Sequence, residues 1–164
     1  CSSDLARAML GKGKTSSVFS TPSRHAVYAA SWEEACAVVQ RDLPGRIGIS
    51  RQAWNIFPKI REIDTAMAGR LSLDIRETHP ELAFCIMNGG KAVLASKKSE
   101  EGRATRLRLL KKAGLAVTPF LDQRPAGCAA DDLIDAFACL WVAQRIHSGT
   151  AIGYGEPAQS QIWA

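Results

Sequence analysis

No methionine opens the chain, its five cysteines (Cys1, Cys36, Cys85, Cys128, Cys139) contain no CxxC pair, and uncharged stretches reach only about ten residues. The last of these excludes a membrane-spanning helix, which needs ~20 apolar residues in a row. An odd cysteine count without close pairs excludes a disulfide frame and a paired-cysteine zinc site. Cys36, Cys85 and Cys139 lie in apolar or helical runs and read as reduced core cysteines of a cytoplasmic protein. The 13 glycines and 7 prolines follow no period, which excludes collagen-like and solenoid architectures. No signal peptide is visible, and Asp4–Leu10 already reads as helix. The expectation is a domain whose beginning is missing, rather than a lipidated Cys1 on a tether.

What is there fits one folded domain over residues 1–164. Hydrophobic residues make up 46% and charged residues 23%, enough for one core of ordinary size. A net charge of +5 permits a polyanionic partner without requiring one. Gly11-Lys12-Gly13-Lys14-Thr15 has the ending of a phosphate-binding loop. Ala8 stands where that motif needs its first glycine, and a helix precedes where a strand should, so a nucleotide loop is excluded.

Helices are expected over 4–10, 24–30, 32–41 (Ser31 and Glu34 forming a capping box), 51–68, 80–88, 100–113 and 129–147. In the fourth, Ala53, Ile56, Phe57, Ile60, Ile63 and Met67 form one apolar face, and Pro58 should bend it. The seventh is the longest and should be central, through Ala130, Leu133, Ile134, Phe137, Leu140, Trp141 and Ile146. Leu71–Glu77 alternates apolar and polar residues, the clearest strand pattern. Leu115–Leu121 could be a second strand, and Gln161–Ala164 a short edge strand.

Three acids, Asp131, Asp132 and Asp135, open the last helix. Acids there complement the helix dipole and cap free amides. Asp132 and Asp135 are also three apart and face one side, where two close carboxylates repel unless a cation sits between them. That points to Mg²⁺ or Mn²⁺ on hard oxygen ligands. Glu77, at the end of a core strand, is the natural third carboxylate; its other reading is a salt bridge with Arg76 or Lys59. His79 could be a helix cap, a core hydrogen-bonder or a proton carrier. From Lys97 to Lys112, seven basic residues face two acidic ones, a surplus equal to the net charge of the whole chain. Lys97, Lys98, Arg103 and Arg106 are candidate contacts to a phosphate backbone; a solvated amphipathic helix is the other reading.

Six strings in register carry a resemblance: Thr15–Arg24 (TSSVFSTPSR), Ser50–Ala53 (SRQA), Lys59–Asp64 (KIREID), Glu77–Phe84 (ETHPELAF), Ser96–Arg103 (SKKSEEGR) and Asp131–Ala136 (DDLIDA). Together they resemble the family called domain of unknown function 429, predicted nucleases with an RNase H-like fold. The resemblance implies an α/β fold with a mixed sheet flanked by helices, and a metal-dependent nuclease that hydrolyses nucleic-acid phosphodiesters. It makes Glu77 the middle catalytic acid and Asp132 and Asp135 the late pair. All three bind Mg²⁺ or Mn²⁺, with Asp131 as a further ligand. His79, Lys59 and Glu62 would support those ligands from outside. Family members begin with a Gly-rich strand carrying an Asp and then an Asp-x-Pro-x-Gly string, and this chain has neither. The resemblance therefore implies a helix-rich, N-terminally truncated domain, either a shortened sequence or a natural remnant, with an exposed sheet edge open to self-association. Two alternatives remain: a non-catalytic module binding nucleic acid or a partner, and a hydrolase of small phosphorylated substrates.

Overall fold

Ser31, Ser50 and Ser99 each turn extended backbone into a helix. Their hydroxyls accept from the amides of Glu34, Ala53 and Gly102, all at 3.1 Å. The computed structural model describes residues 2–19, 22–45, 48–69, 74–156 and 161–164. Its elements are α1 (Ser2–Leu10), a 3₁₀ turn (Thr15–Ser17), α2 (Arg24–Val27), α3 (Trp32–Asp42), α4 (Arg51–Ala68), β1 (Glu77–Thr78), α5 (Pro80–Met87), α6 (Glu100–Lys112), α7 (Thr118–Leu121), α8 (Ala130–His147), β2 (Gly153–Tyr154) and β3 (Ile162–Trp163). No helix among the described residues is long and apolar enough to cross a membrane. Cys36, Cys85, Cys128 and Cys139 are free thiols.

The chain divides into two compact units, one from Cys1–Val18 and Arg76–Ala164, the other from Phe19–Ile75. In the second unit α2, α3 and α4 share a core of Ala26, Val27, Ala35, Val39, Ile49, Ala53 and Phe57. The capping box at α3 differs from expectation in one bond, since the Glu34 carboxylate accepts from the Ala30 amide at 2.8 Å. The apolar face expected of α4 is only half used. Ala53 and Phe57 are buried, but Ile56, Ile63 and Met67 are exposed, because the short α2 and α3 cover few of its turns. Pro58 lies inside α4, which continues to Ala68. Ser50→Ala is expected to lower stability by about 1 kcal/mol by stranding the Ala53 amide, read as a lower urea midpoint.

In the first unit α5 is the central element, correcting the expectation for the last helix. Leu82, Ala83, Phe84 and Cys85 are all fully buried. Ala83 and Phe84 pack with Leu109 and Leu110 of α6 and with Ile134, Ala138 and Val142 of α8. Leu82 and Cys85 pack on the other side with Ala6, Leu10, Val18, Ile162 and Ala164. α8 buries only the stripe Ile134–Ala138–Val142, spaced by four, and leaves Leu140 exposed. A helix whose single charge, Glu81, is neutralised by a buried partner fits between two layers; one with several charges on its outer turns covers a single layer.

The sheet is small and mixed, in the order β1-β3-β2. β1 runs parallel to β3 (Glu77 opposite Ile162) and β2 antiparallel to it (Gly153 opposite Trp163). The C-terminal segment is thus the middle strand, not an edge. Of the strand expected over Leu71–Glu77, Leu71–Leu73 lie outside the described residues, Asp74–Arg76 have no regular structure, and Glu77 alone is in a ladder. The second expected strand, Leu115–Leu121, is corrected to a loop leading into α7. Pro119 in the first turn of α7 has no amide to give a ladder and costs nothing at a helix start.

Candidate functional site

Four segments of the first unit converge where α5 begins. His79 is the N-cap, Pro80 opens the helix, and Glu81 follows in the first turn. Both Glu81 carboxylate oxygens accept from Arg106 Nη2, at 2.7 and 2.8 Å. Arg106 is 1% exposed. Its Nη1 donates to the carbonyls of Ala95 at 3.1 Å and Gly102 at 2.9 Å, and its guanidinium lies 5.5 Å from the Phe84 ring centre. The reason is positional: Arg106 shares a face of α6 with Gly102, Leu109 and Leu110, and that face is buried. Arg106 is therefore no solvent-facing phosphate contact, and that expectation is corrected. Lys14, in the loop after α1, places its Nζ 4.0 Å from Glu81 Oε2.

Arg106 fixes the Ala95–Ser99 loop, which presents Lys97. Lys97 Nζ lies 2.8 Å from Asp135 Oδ2 and 3.4 Å from Asp131 Oδ2. Asp131 and Asp135 are one turn apart on α8 and face the same way. Asp132 does not join them, because its Oδ2 accepts from the Ala129 amide at 3.2 Å and completes the cap of α8. Spacings of three and four are both compatible with a shared face, and the neighbouring loop decides which pair is used. Asp135 Oδ1 is buried without a hydrogen-bond partner. Burial pushes the Asp135 carboxyl above its ordinary range; Lys97 opposes this, and the nearby Glu81 charge adds to it. Burial pulls the Lys97 ammonium down, but the bonds and charges of Asp135 and Asp131 outweigh it and hold the group above the usual lysine value. One lysine thus leaves the carboxylate pair short of positive charge.

Of the other expected residues, Glu77 and His79 belong to the first unit and Lys59 and Glu62 to the second. Glu77 is exposed at β1; the surrounding protein raises its carboxyl and His79 opposes the shift. Among the described residues Glu77 makes no hydrogen bond or ion pair with Asp131, Asp132 or Asp135, and no three His, Cys, Asp or Glu side chains are placed to hold a metal ion together. His79 Nε2 is 2.9 Å from the Ser17 carbonyl. A carbonyl only accepts, so Nε2 carries the proton; the buried Nδ1 has no partner. Lys59 and Glu62 pair with each other at 3.0 Å on an exposed turn of α4, in the second unit. In the same string, Arg61 donates to the Val27 and Ala29 carbonyls at the end of α2, and Asp64 accepts from Arg24 and Tyr28. That part of the motif fastens α2 to α4. Lys98, Arg103, Arg108, Lys111 and Lys112 are exposed.

Sequence reasoning missed Glu81, because an acid in the first turn of a helix already has a local role against the helix dipole. The signal was present in α6, where Arg106 sits three and four residues before Leu109 and Leu110 and so must be buried with a counter-charge. The sequence model of the family described as Protein of unknown function (DUF429) matches residues 2–159. No curated protein and no solved structure matches the chain.

Proposed function

The chain belongs to the DUF429 family, and from that membership and the acid–lysine cluster we propose that it is a divalent-cation-dependent hydrolase of nucleic-acid phosphodiesters. The observation that carries this reading is the convergence of Asp131 and Asp135 with one carboxylate oxygen buried and unpartnered. Hard, anionic oxygens with spare acceptor capacity fit Mg²⁺ or Mn²⁺. Asp131 and Asp135 would hold the ion. When bound it supplies Lewis-acid stabilisation of charge on a phosphoryl oxygen.

The protein's own groups do the rest. Exposed Lys98 and Arg103, with Arg108, Lys111 and Lys112, attract and align the phosphate backbone. The Glu81–Arg106 pair fixes the loop opposite Asp135. Asp132 caps α8 and keeps its first turn in place.

The test is calorimetric titration of Mg²⁺ and Mn²⁺ into the chain and into Asp131→Asn/Asp135→Asn, followed by cleavage of labelled DNA and RNA oligonucleotides with Mn²⁺ or with chelator. The parent is expected to bind and the variant to lose binding at least about tenfold. Equal binding by both would overturn the site. A second reading, a non-catalytic nucleic-acid-binding module, is favoured by Lys97 already bridging the acids. Its mark is salt-sensitive oligonucleotide binding without cleavage.

A further inference from the structure

We propose that two loops of the first unit, residues 11–14 and 91–98, form a nucleic-acid contact in which Lys12, Lys91 and Lys98 hold backbone phosphates and Leu94 packs against a sugar or base. The inference rests on the nucleic-acid reading of the chain and adds a contact surface that needs no cation. Residues 11–17 and 89–99 carry five lysines and no carboxylate. Two of the five are engaged, Lys14 beside Glu81 and Lys97 between Asp131 and Asp135. Lys12, Lys91 and Lys98 are exposed and form no ion pair among the described residues. The next carboxylates, Glu100 and Glu101, lie in the first turn of α6, where they complement its dipole. The two loops touch, since a Cβ at Gly13 would stand 2.8 Å from Leu94 Cδ2, and the glycine admits the leucine. The Gly11–Thr15 string, which is no nucleotide loop, thus brings Lys12 beside Leu94.

Leu94 is 70% exposed, the most exposed large hydrophobic side chain among the described residues. That exposure is fixed by the backbone on either side. Val93 is buried in the core, the Ala95 carbonyl accepts from Arg106, and the Lys91 carbonyl accepts from the Asn88 amide group at 2.8 Å. The leucine is therefore held out on a firm seat, between Lys91 and Lys98 in the chain. A nucleic-acid strand matches this pattern, because it alternates charged phosphates with apolar sugar and base faces. A bilayer matches it less well. One leucine has far less apolar surface than the single acyl chain that binds a membrane only marginally.

The experiment measures binding of short fluorescent DNA and RNA strands and duplexes by anisotropy, in chelator, between about 50 and 200 mM salt. It compares the parent with Lys12→Gln/Lys91→Gln/Lys98→Gln and with Leu94→Ser, and circular dichroism checks folding. Arg41→Gln, an exposed charge of the second unit, is the control. The triple variant is expected to bind on the order of a hundredfold more weakly near ~0.1 M salt, with a salt slope smaller by about two to three. Leu94→Ser is expected to bind at least about fivefold more weakly with the slope unchanged, since only apolar burial is lost. The control should change neither. Parent-like binding by the triple variant and by Leu94→Ser would overturn the two-loop surface and leave the nucleic-acid reading standing. A slope lowered as much per charge by Arg41→Gln would also overturn it, because the attraction would then be diffuse. No oligonucleotide binding by the parent at the lowest salt would overturn both, whether or not the parent binds phosphatidylserine vesicles instead.

Discussion

Replacing Arg106 by methionine is expected to cost about 3–5 kcal/mol of stability. The loss comes less from the pair's own strength than from what is left behind. Glu81 is 8% exposed, and without the guanidinium its carboxylate is a buried charge with the Lys14 ammonium 4.0 Å away. The Ala95 carbonyl also loses its donor. Glu81→Gln should act in the same direction and less severely, because the amide oxygen still accepts one of the two bonds. Glu81→Leu/Arg106→Met should recover at least half of the loss, since a buried ion pair replaced by apolar groups of similar size is often nearly neutral. Urea titration followed by tryptophan fluorescence and circular dichroism gives the three midpoints. An unchanged midpoint for Arg106→Met would mean that the pair is solvated in solution. The double variant also separates stability from positioning. If it folds, its Ala95–Ser99 loop has lost the Arg106 clamp, and Lys97 should hold Asp135 less firmly.

Gly102→Ala is the second large effect, and its sign is diagnostic. Helix propensity alone favours alanine in the first turns of α6 by about 1 kcal/mol. A Cβ at Gly102 would stand 2.0 Å from the Ser96 carbonyl oxygen and 2.9 Å from that of Ala95, both backbone atoms with no rotamer to escape through. Overpacking against fixed backbone outweighs propensity, with an expected net loss of about 3 kcal/mol and a Tm lower by roughly 10 °C. The loop that carries Lys97 must shift to admit the methyl group. The Lys97–Asp135 bond should weaken with it, seen by NMR as a change in the Lys97 side-chain ammonium signal. A gain in Tm would show that α6 and the loop lie farther apart in solution than in the structure.

Local signals were legible and non-local ones were not. Ser31, Ser50 and Ser99 each cap the helix expected after them, because capping is decided within four residues. The sheet left almost no trace, since each of its strands is two residues long and β1 meets β3 across more than eighty residues of chain. Leu115–Leu121 looked like a strand because a short apolar run has no period to read, and Pro119 settled it the other way. The acids of α8 show the same divide. That carboxylates gather there is plain in the sequence. That Asp131 rather than Asp132 partners Asp135 depends on Lys97, which a separate loop delivers. By charge Arg106 belongs with the basic residues of Lys97–Lys112, whereas its spacing from Leu109 and Leu110 puts it inside.

The burial of α5 on both flanks bears on how the chain is made. Leu82, Ala83, Phe84 and Cys85 leave the ribosome after α1, which covers one flank, but about sixty residues before the end of α8, which covers the other. At roughly 5–20 residues per second, an uncharged segment waits some 3–12 seconds for its second wall. β3, which supplies Ile162 to the first flank, comes later still. During that interval the nascent chain presents the kind of surface that chaperones hold. Premature release would favour aggregation through Leu82–Met87, the segment that becomes the middle of the finished unit.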